Sequence, residues 1–250
     1  MHFHATNLIA ACALVTWAGA VFPAESACSA KSGDKVMPVI ELYTSEGCSS
    51  CPPADKWASS LKSSGALVQA FHVDYWDYIG WVDRFAAPAH TSRQREVATT
   101  NRLRGIYTPQ VVHNGKDWPG WHGSKANLAA NKSARVSLTL RQVDADRFEA
   151  RVALAAGAGA LPWSAYWTVT ENGHNSKVQA GENAGEFLKH DFVVRQYTQA
   201  GDYNTTNNLP QMLTLRSIAA TPGHQRQINL VVFDKKTGDT MQAVSLQCAG

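Results

Sequence analysis

The stretch Glu41-Leu-Tyr-Thr-Ser-Glu-Gly-Cys48-Ser-Ser-Cys51-Pro-Pro-Ala-Asp55 constrains this chain more than any other part of it. An apolar run over 36–43 reads as a strand that ends in a turn. The tract 52–61 reads as a helix, with Ala54, Trp57, Ala58 and Leu61 at helical spacing. Two cysteines three residues apart therefore fall where a strand hands over to a helix. A helix N-terminus offers unpaired N–H groups and about half a positive charge, both of which stabilise a thiolate. Cys48, after a glycine that lets the backbone turn, is the candidate nucleophile. Cys51, one turn deeper, is the candidate resolving thiol, and Pro52 suits a first helical turn because its missing N–H is not needed there. A structural bridge and half of a zinc site remain the competing readings of the pair.

Export decides how the remaining cysteines are read. Residues 1–27 carry an uncharged, mostly apolar stretch over 8–20, too short to span a bilayer comfortably, followed by small residues suited to cleavage. They read as a signal peptide, which leaves no stable membrane span after cleavage. The protein is expected to be periplasmic or secreted. Glu25 sits where a lipoprotein signal wants an aliphatic residue, which argues against lipidation of Cys28. Cys12 is lost with the signal, so Cys28, Cys48, Cys51 and Cys248 remain, and in an oxidising compartment these four allow three connectivities. The economical arrangement pairs Cys48 with Cys51 and ties Cys28 to Cys248. The alternative leaves the latter two as exposed terminal thiols.

The rest of the chain has two rhythms. Over 35–134 short apolar runs alternate with helical tracts: strands over 66–73 and 109–114, helices over 88–103 and 124–134, and a turn at Asn114-Gly115. This order predicts an α/β domain with helices covering a sheet. Over 135–248 the pattern becomes two-residue alternation, as in Val136, Leu138, Leu140 and in Ile228, Leu230, Val232, which predicts an antiparallel all-β domain, sandwich or meander. Net charge is +3, and Lys and Arg are scattered with no basic stripe, so nucleic acid is not an expected partner. Arg93, Arg95, Arg102 and Arg104 read as a solvated helix face.

The strand–turn–helix with its Cys-x-x-Cys resembles the thioredoxin superfamily. The whole block 41–55 is similar to the signature of a bacterial family of secreted, thioredoxin-like proteins of unknown function. Phe71-His-Val-Asp-Tyr-Trp-Asp77, Tyr107-Thr-Pro-Gln110 and Gly181-Glu-Asn183 look like its other blocks. The resemblance implies a thioredoxin-like domain over 35–134 and an exported location; it hands over no settled activity. The thioredoxin comparison also implies a cis peptide at Thr108-Pro109 facing the cysteines, with the backbone beside Pro109 free to pair with a substrate peptide. It puts Leu42 where thioredoxins carry a buried acid. Glu41 faces the other side by strand alternation, so His72 and Asp74 are the candidate replacements. The aromatic stretch 74–83, with Tyr75 and Trp76, either lines a groove for substrate or cements the two halves together.

These features predict a thiol–disulfide oxidoreductase of the cell envelope, acting on protein thiols or disulfides and needing no cofactor. The competing classes are a soft-metal protein, with Cu(I) or zinc on Cys48 and Cys51, and a peptide- or carbohydrate-binding module with a structural disulfide.

Overall fold

The computed structural model describes residues 1–2, 28–122, 128, 130–155, 162–204 and 209–248. The signal-peptide reading of 1–27, apart from its first two residues, lies outside the described residues, as do residues 124–127 and 129 of the helix expected over 124–134. The end of that tract is not helical: Lys35 forms a bridge with Ser133, and Ala134 N–H donates to the Asp34 carbonyl.

The local elements are those the pattern dictates. β1 (Ser29–Lys31) is followed by β2 (Val39–Thr44), α1 (Pro52–Ser59), β3 (Leu67–His72), α2 (Pro88–Thr100), β4 (Gln110–His113) and β5 (Lys116–Asp117). The second half supplies β6 (Val136–Asp144), β7 (Arg147–Leu154), β8 (Pro162–Glu171), β9 (His174–Lys177), β10 (Phe187–His190), β11 (Val193–Asn204), β12 (Gln211–Arg216), β13 (Arg226–Asp234) and β14 (Thr240–Leu246). Both helices begin with proline in the first turn, where its missing N–H costs nothing.

Their assembly corrects the expected architecture. The protein is mostly β, with two α-helices among the described residues, and is not an α/β thioredoxin-like domain followed by a separate β domain. One mixed sheet of eight strands, in the order β14-β13-β8-β11-β3-β2-β4-β5, takes strands from both halves of the chain. The join is β11 against β3: the two run parallel with Val193 opposite Ala70, and Ala70 N–H donates to the Phe192 carbonyl at 2.8 Å. The physical reason is the second edge of β3. All six of its residues are buried, so its backbone groups on that side need a partner that water cannot supply. Polar cross-links secure the same face: Gln69 of β3 donates to the Tyr166 hydroxyl and accepts from Thr168 Oγ1, both on β8.

Alternate residues of each strand serve different cores. On one face Ile40 and Leu42 of β2 meet Ala54 and Ala58 of α1 and Trp121. On the other Val39 and Tyr43 meet Phe71, Val97 of α2 and Tyr166. A four-stranded sheet, β1-β6-β7-β12, closes the largest core against Trp163, Trp167, Leu230 and Val244. The expected solvated arginine face is corrected at one residue. Arg93 is buried and binds Glu41 with Nη2 at 3.0 Å, while the Tyr43 and Tyr166 hydroxyls donate to the same carboxylate.

Candidate functional site

Cys48 and Cys51 form a disulfide at the start of α1, with Cys51 as its N-cap residue. The turn that holds them is local: Cys48 N–H donates to the Ser45 carbonyl and Cys51 N–H to the Cys48 carbonyl. Both cysteines are buried, at 1% and 0% exposure, whereas Ser49 and Ser50 between them face solvent. Cys28 and Cys248 form a second disulfide, which leaves the Cys28 sulfur no capacity for a lipid thioether.

What covers the first disulfide comes from 133 to 137 residues downstream, roughly half the chain's length away. Glu182 accepts from Ser49 N–H at 2.9 Å, and Asn183 donates from its amide to the Glu46 carbonyl at 2.9 Å and the Cys48 carbonyl at 3.0 Å. The loop is fitted closely. Gly181 has a φ of +76°, which favours glycine, and an added Cβ would lie 2.9 Å from Ile79 Cδ1.

Behind the turn lies a buried cluster of carboxyls and imidazoles. His72, at the end of β3 and fully buried, pairs its Nδ1 with Asp83 at 2.6 Å. Asp83 also accepts from the backbone N–H groups of Glu46 and Phe85, so one carboxylate ties the cysteine turn to the imidazole. Burial pushes the Asp83 carboxyl up, but the His72 charge and hydrogen bond outweigh it and hold it at about 2. Burial likewise lowers the His72 imidazole, and Asp83 reverses the direction, leaving it raised. His190 of β10 pairs Nε2 with Glu46 at 3.1 Å, and Trp81 Nε1 donates to the other Glu46 oxygen at 2.7 Å. The two imidazoles meet edge to face with centroids 4.9 Å apart, and His72 Nε2 and His190 Nδ1 have no hydrogen-bond partner.

Asp55 completes the cluster. It lies in the first turn of α1, four residues after Cys51 and so on the same face of the helix. Its carboxyl accepts from Thr44 Oγ1 at 3.1 Å, and burial raises its pKa above 3.8, against the opposing pull of His190 and His72. Among the described residues no group of three or more His, Cys, Asp or Glu side chains is arranged to hold a metal ion.

The structure places the other sequence candidates as follows. The Thr108–Pro109 peptide is cis. It immediately precedes β4, whose Gln110 pairs with Tyr43 near the C-terminal end of β2, the end from which the cysteine turn departs. Trp76 donates to Thr108 Oγ1 at 2.8 Å and lies against Gly47, so it links the proline to the cysteine turn. Tyr75 and Trp76 are half-buried against the core that α2 shares with the sheet, while Tyr78 and Val82 of the same stretch are exposed. Asp74 does not join His72. β3 ends at His72, strand alternation stops there, and the Asp74 carboxylate instead accepts from Thr91 of α2. The sequence alone assigns no chemistry to Glu46, Asp83, Asn183 and His190, and Asp55, an acid in the first helical turn, is accounted for there by the helix dipole. The signal was present in part, since Asn183 stands in the block Gly181-Glu-Asn183, which has no evident local job.

The fold and site define a disulfide-bridged, mostly-β protein built on a mixed sheet shared by both halves of the chain. The chain belongs to the family described as "Protein of unknown function (DUF1223)", which matches residues 39–233. It is similar in fold to a crystal structure of a protein from Agrobacterium tumefaciens, with 25% identity, 86% of this chain and 96% of that chain covered, and a TM-score of 0.63. HBP35 of Porphyromonas gingivalis is also similar in fold, at 13% identity over 86% of this chain and 76% of that one, with a TM-score of 0.56. No curated protein matches the chain. Two disulfides fit an exported protein, and no helix among the described residues is long and apolar enough to cross a membrane.

Proposed function

We propose that this protein exchanges thiols and disulfides with other proteins of the cell envelope through Cys48 and Cys51. The observation that carries the reading is a disulfide on the first turn of α1 with a buried carboxyl, Asp55, whose pKa burial raises, on the Cys51 face of the same helix. In the oxidising direction a partner thiolate attacks Cys48 Sγ. The Cys48–Cys51 bond breaks, its electron pair leaves on Cys51, and that sulfur takes a proton relayed by Asp55. A second partner thiolate then attacks the partner sulfur of the mixed disulfide and releases Cys48 as a thiolate, stabilised by the helix N-terminus. The partner dithiol loses two electrons and the cysteine pair gains them. The paired imidazoles of His72 and His190, with their free ring nitrogens, are the route by which Asp55 regains its proton. Pro109 and Thr108 lie at the same end of the sheet and supply backbone to the partner peptide. Tyr78 and Val82 add exposed apolar surface on the stretch that packs over Gly47.

Equilibrating the mature protein with glutathione buffers and reading the Cys48–Cys51 pair by mass spectrometry tests this. A potential between about −120 and −270 mV, with exchange abolished in Cys48→Ser, is the expected result. A pair that resists reduction below about −300 mV is structural and ends the reading. Burial of both sulfurs supports that second reading, in which the disulfide braces a peptide- or carbohydrate-binding module. The same titration separates the two.

A further inference from the structure

Phe85, whose ring packs on His72, also packs on His174 of a second, unassigned site. His174, at the start of β9, stacks on His224 with centroids 3.9 Å apart and planes inclined by 14°. The Arg84 and Arg195 guanidinium carbons lie 4.6 and 5.5 Å from the centroid of the Phe85 ring. These groups, with Thr221, line a cavity of about 510 Å³.

The charges around this cavity do not cancel. No carboxylate is among its lining residues, and Glu171, which several of them bind, has a side chain with 0% exposure that is already committed. It accepts from His174 Nε2 at 2.9 Å and from Thr221 N–H at 2.9 Å, and it pairs with Arg195 at 3.5 Å. Arg84 receives none of it. Its only hydrogen bond among the described residues runs to the Asn175 carbonyl at 2.6 Å, and the residue is exposed. His224 spends Nδ1 on the Asn172 carbonyl at 2.8 Å, which leaves Nε2 as the ring atom available to a ligand. Two guanidiniums and an imidazole thus face one cavity against a single occupied carboxylate. A guanidinium presents a planar fork of donors that matches the oxygens of a carboxylate or phosphate, and a flat aromatic ring beneath fixes the fork's plane.

We propose that this cavity binds the carboxylate or phosphate group of a small molecule between Arg84, Arg195 and His224. The proposal stands on this cavity alone and does not depend on redox activity at Cys48.

Isothermal titration of the full mature protein with inorganic phosphate and with succinate, each against sodium chloride at matched ionic strength, tests it. Saturable binding of one molecule of either probe is expected, and the probe that binds tells a phosphate ligand from a carboxylate. Arg84→Gln, on an exposed side chain, weakens that binding about tenfold or more, because a hydrogen bond to a charged group is lost. Arg84→Lys, which keeps the charge without the fork, falls between the two. No saturable heat from either probe, binding equalled by chloride, or binding that Arg84→Gln leaves unchanged would overturn the proposal.

Discussion

A carboxyl held out of water on the helix that carries a disulfide has two consequences of opposite sign. Burial raises the pKa of Asp55 above its ordinary 3.8, so the folded state holds this proton more tightly than the unfolded chain does. Its contribution to stability is therefore most favourable at low pH. That contribution is lost as pH rises from 3.8 through the raised folded value, above which the charged group sits desolvated. Asp55→Asn removes this cost while keeping an oxygen to accept from Thr44. The variant is expected to unfold at a higher denaturant concentration than the parent at pH 7, with the gap closing as pH falls toward 3. Its thiol–disulfide exchange is expected to slow by roughly a hundredfold, since the relay that protonates Cys51 is gone. A variant that gains stability yet exchanges at the parental rate would remove Asp55 from the reaction. The sequence showed Asp55 as an acid in a first helical turn, where the dipole alone justifies it. Its burial arises from Thr44 and from the packing of distant strands on α1, which no local pattern records. Glu41 shows the converse. Alternation placed it on the opposite face from the cysteines, where the structure has it, but its partner Arg93 read as a surface charge.

At the scale of elements, the connection between β9 and β10 is a cover for the cysteine turn rather than a simple hairpin loop. The two strands pair from His174 opposite His190 to Lys177 opposite Phe187, and the residues between them reach Ser49, Glu46 and Cys48. Opening this cover exposes the disulfide. Asn183→Ala deletes two hydrogen bonds and leaves two carbonyls to find water, a loss of about 1–2 kcal/mol from the closed state. If reduction proceeds through the open state, dithiothreitol is expected to reduce Cys48–Cys51 about tenfold faster in this variant. An unchanged rate would mean that reductant reaches the sulfurs past Ser49 and Ser50 with the cover in place. Individual elements were legible: the tracts read as helices over 52–61 and 88–103 contain α1 and α2, and the strands over 36–43 and 66–73 match β2 and β3 within a few residues. Hydrophobic period and the paired prolines fixed them. β11 was not legible. Its twelve residues are mostly half-exposed past Val194, so the alternation that marks β6 or β7 is missing, although β11 is the strand that joins the halves.

For the whole molecule, the eight-stranded sheet makes the two halves one mechanical body. β3 from the first half and β8 from the second flank β11 on either side, and the Gln69–Tyr166–Glu41–Arg93 chain of buried polar contacts runs from β3 to α2 by way of β8 and β2. Separating the halves would expose both edges and leave those buried groups unpaired, a cost well above the few kcal/mol that hold a domain interface together. The mature protein is therefore expected to unfold in a single calorimetric transition whose van't Hoff and calorimetric enthalpies agree. The bridge from Cys28 to Cys248, at a sequence separation of 220, constrains the unfolded chain and adds at most about 5 kcal/mol by loop closure. Replacing both cysteines with serine should lower the melting temperature without splitting the transition, because the continuity lies in the β11–β3 seam and not in the bridge. Two resolved transitions in that variant would place the continuity in the disulfide instead, and would mean that the first half, with its cysteine turn, can fold with the second edge of β3 unpaired.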